Sequence, residues 1–109
     1  MRIWDISPEK LCRQHLLAEH RELHGIWAIL TQRKRGYSKH PETIRWRGKL
    51  KALYLRHQAL VQEMKKRGYA HRSPLPKQLA IGSGRQTAQV NSYEEQVTIL
   101  NNKACQCQV

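Results

Sequence analysis

SPEKLCRQHLLAEHRELHGIWAILTQRKRG, residues 7–36, decides the fold. Ser7 is placed to cap a helix, Pro8 suits the first helical position, and Glu9 favours the positive end of the helix dipole. Leu16, Leu23, Trp27 and Leu30 then recur at helical spacing, so the pattern predicts one amphipathic helix from about residue 8 to residue 34. Gly25 weakens it locally without ending it. Arg33-Lys34-Arg35-Gly36 brings cations and a glycine stop to its last turn.

Gly36 to His40 reads as a loop, and Pro41 opens a second helical stretch. Gly48 divides that stretch into a short piece and a long one. Leu50, Leu53, Leu60, Val61 and Met64 form the core face of the long piece. Lys65-Lys66-Arg67-Gly68 closes it with favourable charge and a glycine. Tyr69 to Asn91 carries Ser73-Pro74-Leu75-Pro76 and Gly82-Ser83-Gly84 and reads mostly as loop. Ser92-Tyr93-Glu94-Glu95 matches a capping box that opens a short last helix ending near Asn102. No strand alternation and no internal repeat is present. The expectation is all-α: a compact single domain, residues 1–109, of about three helices with a long loop before the last. Residues 103–109 are expected to be a flexible C-x-C tail.

The chain has 109 residues, with 20 Lys and Arg against 8 Asp and Glu, a net charge of +12. Such an excess repels itself and calls for an anionic partner, for which nucleic acid is the first choice. No apolar run approaches a spanning length, and Asp5, Glu9 and Lys10 interrupt any signal-peptide core. The expected compartment is the cytoplasm, in association with the nucleoid, and no membrane contact is expected. Three cysteines do not suggest a secreted disulfide framework. His20 and His24 stand four apart on one helix face, a spacing that suits two metal ligands. No H-E-x-x-H or C-x-x-C accompanies them, so no metal site and no cofactor are expected. Cys105 and Cys107 read as a reduced, potentially redox-active pair.

The chemistry concentrates on the first helix. His15 and Glu22 share a face, two turns or roughly 10 Å apart. Gln14 and Arg21 lie alongside, and small Ala18 and Gly25 leave room above for another group. Arg2 is close enough in sequence to fold back toward them. A terminal α-amine has an intrinsic pKa near 8, against about 10.4 for lysine, so far more of it is free base at neutral pH. For attack on an electrophilic sugar carbon the N-terminus is thus the better nucleophile.

The run Gln14-His15-Leu16-Leu17-Ala18-Glu19-His20-Arg21-Glu22-Leu23 resembles the signature of the phage-type pyrimidine-dimer DNA glycosylase/AP lyase family. A second resemblance covers Gly48-Lys49-Leu50 and Glu63-Met64-Lys65-Lys66-Arg67-Gly68-Tyr69, so that the likeness spans roughly residues 1–72. The MRIW start and the C-x-C finish are similar to the short cellular branch of that family. The resemblance implies an all-helical enzyme that excises damaged pyrimidines. The N-terminal α-amine attacks C1′ to give a Schiff base, and β-elimination then nicks the strand. It implies that Glu22 is the catalytic carboxylate and that Arg2, Gln14, His15 and Arg21 shape the site and hold DNA. His20 stands where the archetype has an aromatic residue near DNA. The archetype loses its initiator methionine; here bulky Arg2 opposes removal, and the spacing works if a retained, unblocked Met1 supplies the amine. His24-Gly25 replaces an arginine that follows the catalytic glutamate, and the archetype's basic, aromatic C-terminal segment has no counterpart. Both departures bear on dimer recognition more than on lyase chemistry.

Phosphate contacts are expected from Arg33, Lys34, Arg35, Lys39, Arg45, Arg47 and Lys49. Trp46 and Tyr37 interleave them, and an aromatic side chain there can stack on or wedge beside a base, the other reading of Trp46 being a place in the core. The expected partner is damaged double-stranded DNA, engaged by a monomer through shape and deformability rather than base reading. Two other readings share the charge: a non-catalytic basic helical module that binds nucleic acid, and an AP lyase acting on other lesions.

Overall fold

The computed structural model describes residues 2–71 and 73–109. Among these the chain forms four α-helices and no strand: α1 Arg13–Gln32, α2 Pro41–Ile44, α3 Leu50–Lys66 and α4 Tyr93–Asn101. The all-helical fold and the long segment before the last helix are as the sequence implies. α1 packs on α3, and the remaining elements wrap this pair.

The first helix starts later than its sequence suggests. Pro8–Lys10 is a separate 3-10 turn, Ser7 makes no side-chain cap, and Leu11 is extended before α1 begins behind Cys12. The break has a physical cause. Leu11 is buried, and the turn's carbonyls turn toward α3, where the Arg67 guanidinium donates to Leu11 O at 2.6 Å and to Pro8 O at 3.3 Å. A continuous helix would have tied those carbonyls into its own ladder.

The end of α1 also differs from expectation. Arg33, not a glycine, takes the left-handed conformation at φ 52°, and the Lys34 N–H returns to Ile29 O at 3.2 Å. Gly48 does divide the second stretch, at φ 72°. The loop after α3 then serves α3's own start. Ile81 O and Ser83 O accept from the Lys51 and Ala52 N–H groups at 2.9 and 3.1 Å, which supplies partners for orphan donors of the first helical turn. Gly82 sits in that crossing at φ 85°, and a Cβ there would overlap Gly48 O.

Gly68, at φ 80°, ends α3 with the Tyr69 N–H on Met64 O at 2.9 Å. The capping box of α4 forms between Ser92 and Glu95 in both directions. The core joins Leu16, Leu23, Ile26 and Trp27 of α1 to Leu53, Leu60 and Met64 of α3 and Leu100 of α4. Ile3, Trp4 and Ile6 are buried within it, so the stretch ahead of α1 is itself part of the core.

Candidate active site

Residues 3–6 form no helix or sheet, yet Ile3, Trp4 and Ile6 are buried, so the backbone there needs partners from side chains. Four buried polar residues supply them. The Ile3 N–H donates to Glu42 Oε1 at 3.2 Å, the Trp4 N–H to Glu19 Oε1 at 3.1 Å, and the Asp5 N–H to Gln96 Oε1 at 2.8 Å. Arg45 completes the clamp by donating to Ile3 O at 2.7 Å. Its guanidinium also pairs with Glu42 at 2.7 Å and with Asp5 at 3.2 Å. Glu19 is held in turn by Arg56 at 2.6 Å, while burial pushes its carboxyl above the ordinary range against that arginine's pull. α1, α2 and α4 thus grip the chain immediately behind Arg2.

Arg2 is fixed by a hydrogen bond from Nη1 to Asn91 Oδ1 at 2.8 Å and lies 4.9 Å from the centroid of the Trp4 ring. Beside it opens a cavity of about 230 Å³ lined by Arg2, Trp4, His15, Ala18, Glu19, Glu22, Ile99 and Lys103. Three of the residues singled out in the sequence, Arg2, His15 and Glu22, therefore meet in one place over small Ala18. Among the described residues Glu22 has no salt-bridge partner. Met1, expected to supply the amine, lies outside the described residues. Lys103 was not anticipated, because it reaches the cavity from beyond α4, with no local signal.

Other expected residues fall elsewhere. Gln14 faces a separate depression beside Ala104 and Cys105, and Arg21 is exposed without lining the Glu22 cavity. Arg45, expected on phosphate, is only 7% exposed and committed to the clamp. Trp46, expected near a base, is buried, with Nε1 donating to Glu42 at 3.3 Å. The clamp's need for buried donors accounts for both corrections. Arg33, Lys34, Arg35 and Arg47 are exposed and rim a groove of about 570 Å³ floored by Ile29, Leu30, Leu50 and Gly82. Lys39 and Tyr37 are exposed nearby in sequence, while Lys49 donates to Gln86 Oε1 at 2.7 Å.

Residues 1–77 match the family model described as pyrimidine dimer DNA glycosylase. The chain belongs to that family. Comparison with curated proteins and with solved structures gives no match. In this glycosylase-family chain the matched stretch contains Glu19, Glu22, Glu42 and Arg45, whereas Gln96, Ile99 and Lys103 come from beyond it. No helix of the described residues is long and apolar enough to cross a membrane.

Two side-chain clusters went unforeseen. His20, expected near DNA, joins His24, His57 and His71, and its imidazole is pushed down to about 4 by burial and by the other three rings. Cys12 and His15 meet Cys105 and Cys107. Burial raises the Cys12 thiol, but hydrogen bonding with His15 and Cys107 outweighs it and brings the group to about 6. Burial pushes the Cys107 thiol up. The visible signals were H-x3-H, C-x2-H and C-x-C. Each is half a ligand set, and its partner lies about 30 to 90 positions away.

Proposed function

We propose that this chain is a DNA-repair glycosylase with AP-lyase activity, excising damaged pyrimidines, cyclobutane dimers foremost, from double-stranded DNA. The observation that carries the reading is the cavity in which Glu22 opens beside Arg2, next in sequence to the proposed nucleophile. The α-amine of Met1 attacks C1′ of the damaged nucleotide. The new C–N bond replaces the glycosidic bond, and the base leaves with the bonding electrons. Glu22 acts in proton transfer at the sugar: O4′ gains a proton as the ring opens, the nitrogen loses one, and an imine results. Loss of a C2′ proton then expels the 3′-phosphate, and water hydrolyses the imine to release the amine. His15 and Arg2 shape the pocket, and Arg2 and Lys103 offer cations to the flanking phosphates.

Reaching C1′ requires a displaced or kinked nucleotide, which is easiest where stacking is already damaged. The exposed cations Arg33, Lys34, Arg35, Lys39 and Arg47 are offered to the DNA backbone, and Arg21 extends that set along α1.

Borohydride trapping on duplexes carrying a cyclobutane dimer or an abasic site tests this. A covalent adduct on both duplexes, lost in Glu22→Gln, is the expected result. Binding without an adduct on either would leave the non-catalytic nucleic-acid-binding module. An adduct on the abasic duplex alone would leave a lyase for other lesions.

A further inference from the structure

We infer that Cys12, His15, Cys105 and Cys107 form a structural zinc site that fastens the end of the chain to the start of α1. The four donor atoms lie within 4.8 Å of one another. His15 Nδ1 is 3.1 Å from Cys12 Sγ and 3.3 Å from Cys107 Sγ. A tetrahedral zinc with bonds of about 2.3 Å to sulfur and 2.0–2.1 Å to nitrogen has S···N edges of about 3.5 Å and S···S edges of about 3.8 Å. The cluster needs adjustments of roughly an ångström or less to meet them. Three cysteines and one histidine are a closed set of the kind that structural zinc sites use.

Two further contacts suit the site. The Cys12 N–H donates to Cys107 Sγ at 3.0 Å, the outer hydrogen bond that steadies a ligating sulfur. The Gln108 N–H donates to Lys10 O at 2.8 Å, so the backbone beside the ligands is already paired across the gap. The site also reaches the chemistry, because His15 lines the Glu22 cavity and its ring stands edge-on to Trp4 at 5.9 Å. Zinc on Nδ1 would hold that wall of the cavity in place.

The test is a Co(II) chloride titration of the reduced, chelator-stripped full chain. The expected result is a thiolate-to-cobalt charge-transfer band whose amplitude at saturation corresponds to one thiolate-bound Co(II) per chain, and which zinc chloride bleaches. Cys105→Ser with Cys107→Ser should abolish the thiolate band and weaken zinc binding at this cluster by more than the roughly 10–100-fold that loss of an outer-shell partner costs. Cys107→His keeps a zinc-competent set and should restore tight binding with a weaker charge-transfer band, which separates ligand loss from misfolding. A folded wild-type chain without a thiolate band, or an undiminished band in the double variant, would overturn the site.

A second site rests on separate residues. The geometry points to a divalent metal of zinc's class held by His20 and His24 of α1, His57 of α3 and His71. Their donor nitrogens also lie within 4.8 Å, with Nε2–Nε2 distances of 3.2 Å for His24–His57 and 3.1 Å for His20–His71. Gln58 Oε1 stands 2.9 Å from His57 Nδ1 and can accept a hydrogen bond from Nδ1–H, which leaves the Nε2 lone pair facing the cluster. Calorimetric titration of the Cys105→Ser, Cys107→Ser chain with zinc chloride should still show one saturable site. His71→Ala, in a loop, together with exchange of His20 for alanine should remove it while the circular dichroism of the helices persists. Absence of that site, or its survival in the histidine variant, would overturn the assignment.

Discussion

Arg45 and Arg47 stand two residues apart, and the fold sends them to different tasks. Arg45 is 7% exposed and donates to Glu42, Asp5, Ile3 O and Ala88 O. Arg47 is exposed on the rim of the groove and donates to Ser38 O. The same contrast separates the Glu42–Arg45–Gln96 clamp from the basic rim of Arg33, Lys34, Arg35 and Arg47. A residue's charge places it in neither group; what matters is whether the neighbouring backbone has other partners. Residues 3–6 have no ladder of their own, so buried side chains must satisfy them.

The largest effect should come from breaking the clamp. Glu42→Ala or Arg45→Ala leaves a buried charge without its partner and should cost about 3–5 kcal/mol in denaturant unfolding. A cost near that of a surface change would erase the contrast. Gly82→Ala should come next, at about 1–3 kcal/mol, because a Cβ at φ 85° meets the backbone of Gly48. Thermal unfolding would show it as a lowered midpoint.

Ser92→Ala should cost about 1 kcal/mol by removing the cap of α4, the helix from which Gln96 holds Asp5. Hydrogen bonds with Ser92 lower the Glu95 carboxyl below its ordinary value. The contribution of that box is therefore present above the unfolded carboxylate pKa and is lost as pH falls through the folded one. An acid titration of stability should be flatter in Ser92→Ala than in the wild type.

The smallest stability changes belong to the rim. Alanine at Lys34, Arg35 or Arg47 should stay within about 0.5 kcal/mol. Each should lower the slope of log affinity for DNA against log salt by about 0.9 if it meets a phosphate. Arg33→Gly should separate the two properties: relief of the left-handed φ should raise stability by roughly 0.5 kcal/mol while DNA binding weakens.

The sequence made the local devices legible. Gly48 as a break, Gly68 as a helix stop and the Ser92–Glu95 box depend on residues a few positions apart, and each formed as read. The burial of Ile3, Trp4 and Ile6 had no such signal, since residues 3–6 are too few for a period and the partners of the Ile3, Trp4 and Asp5 N–H groups lie 15 to 91 positions away. Ser7-Pro8-Glu9 misled for a related reason: Arg67, from the far end of α3, takes the carbonyls that a continuous helix would have used. On the site face, helical spacing puts His15 and Glu22 on one side of α1 and both line the cavity, whereas Arg45 in its basic stretch gave no hint of burial.

We propose that a backbone amine, that of Met1, is the nucleophile that meets the sugar beside Glu22. The most direct measurement is peptide mass mapping of the borohydride-reduced adduct formed on an abasic duplex. The sugar remnant is expected on the α-amine of Met1, with no adduct after N-terminal acetylation. An adduct carried on a lysine side chain, or an intact mass showing that Met1 is missing from the active protein, would contradict it.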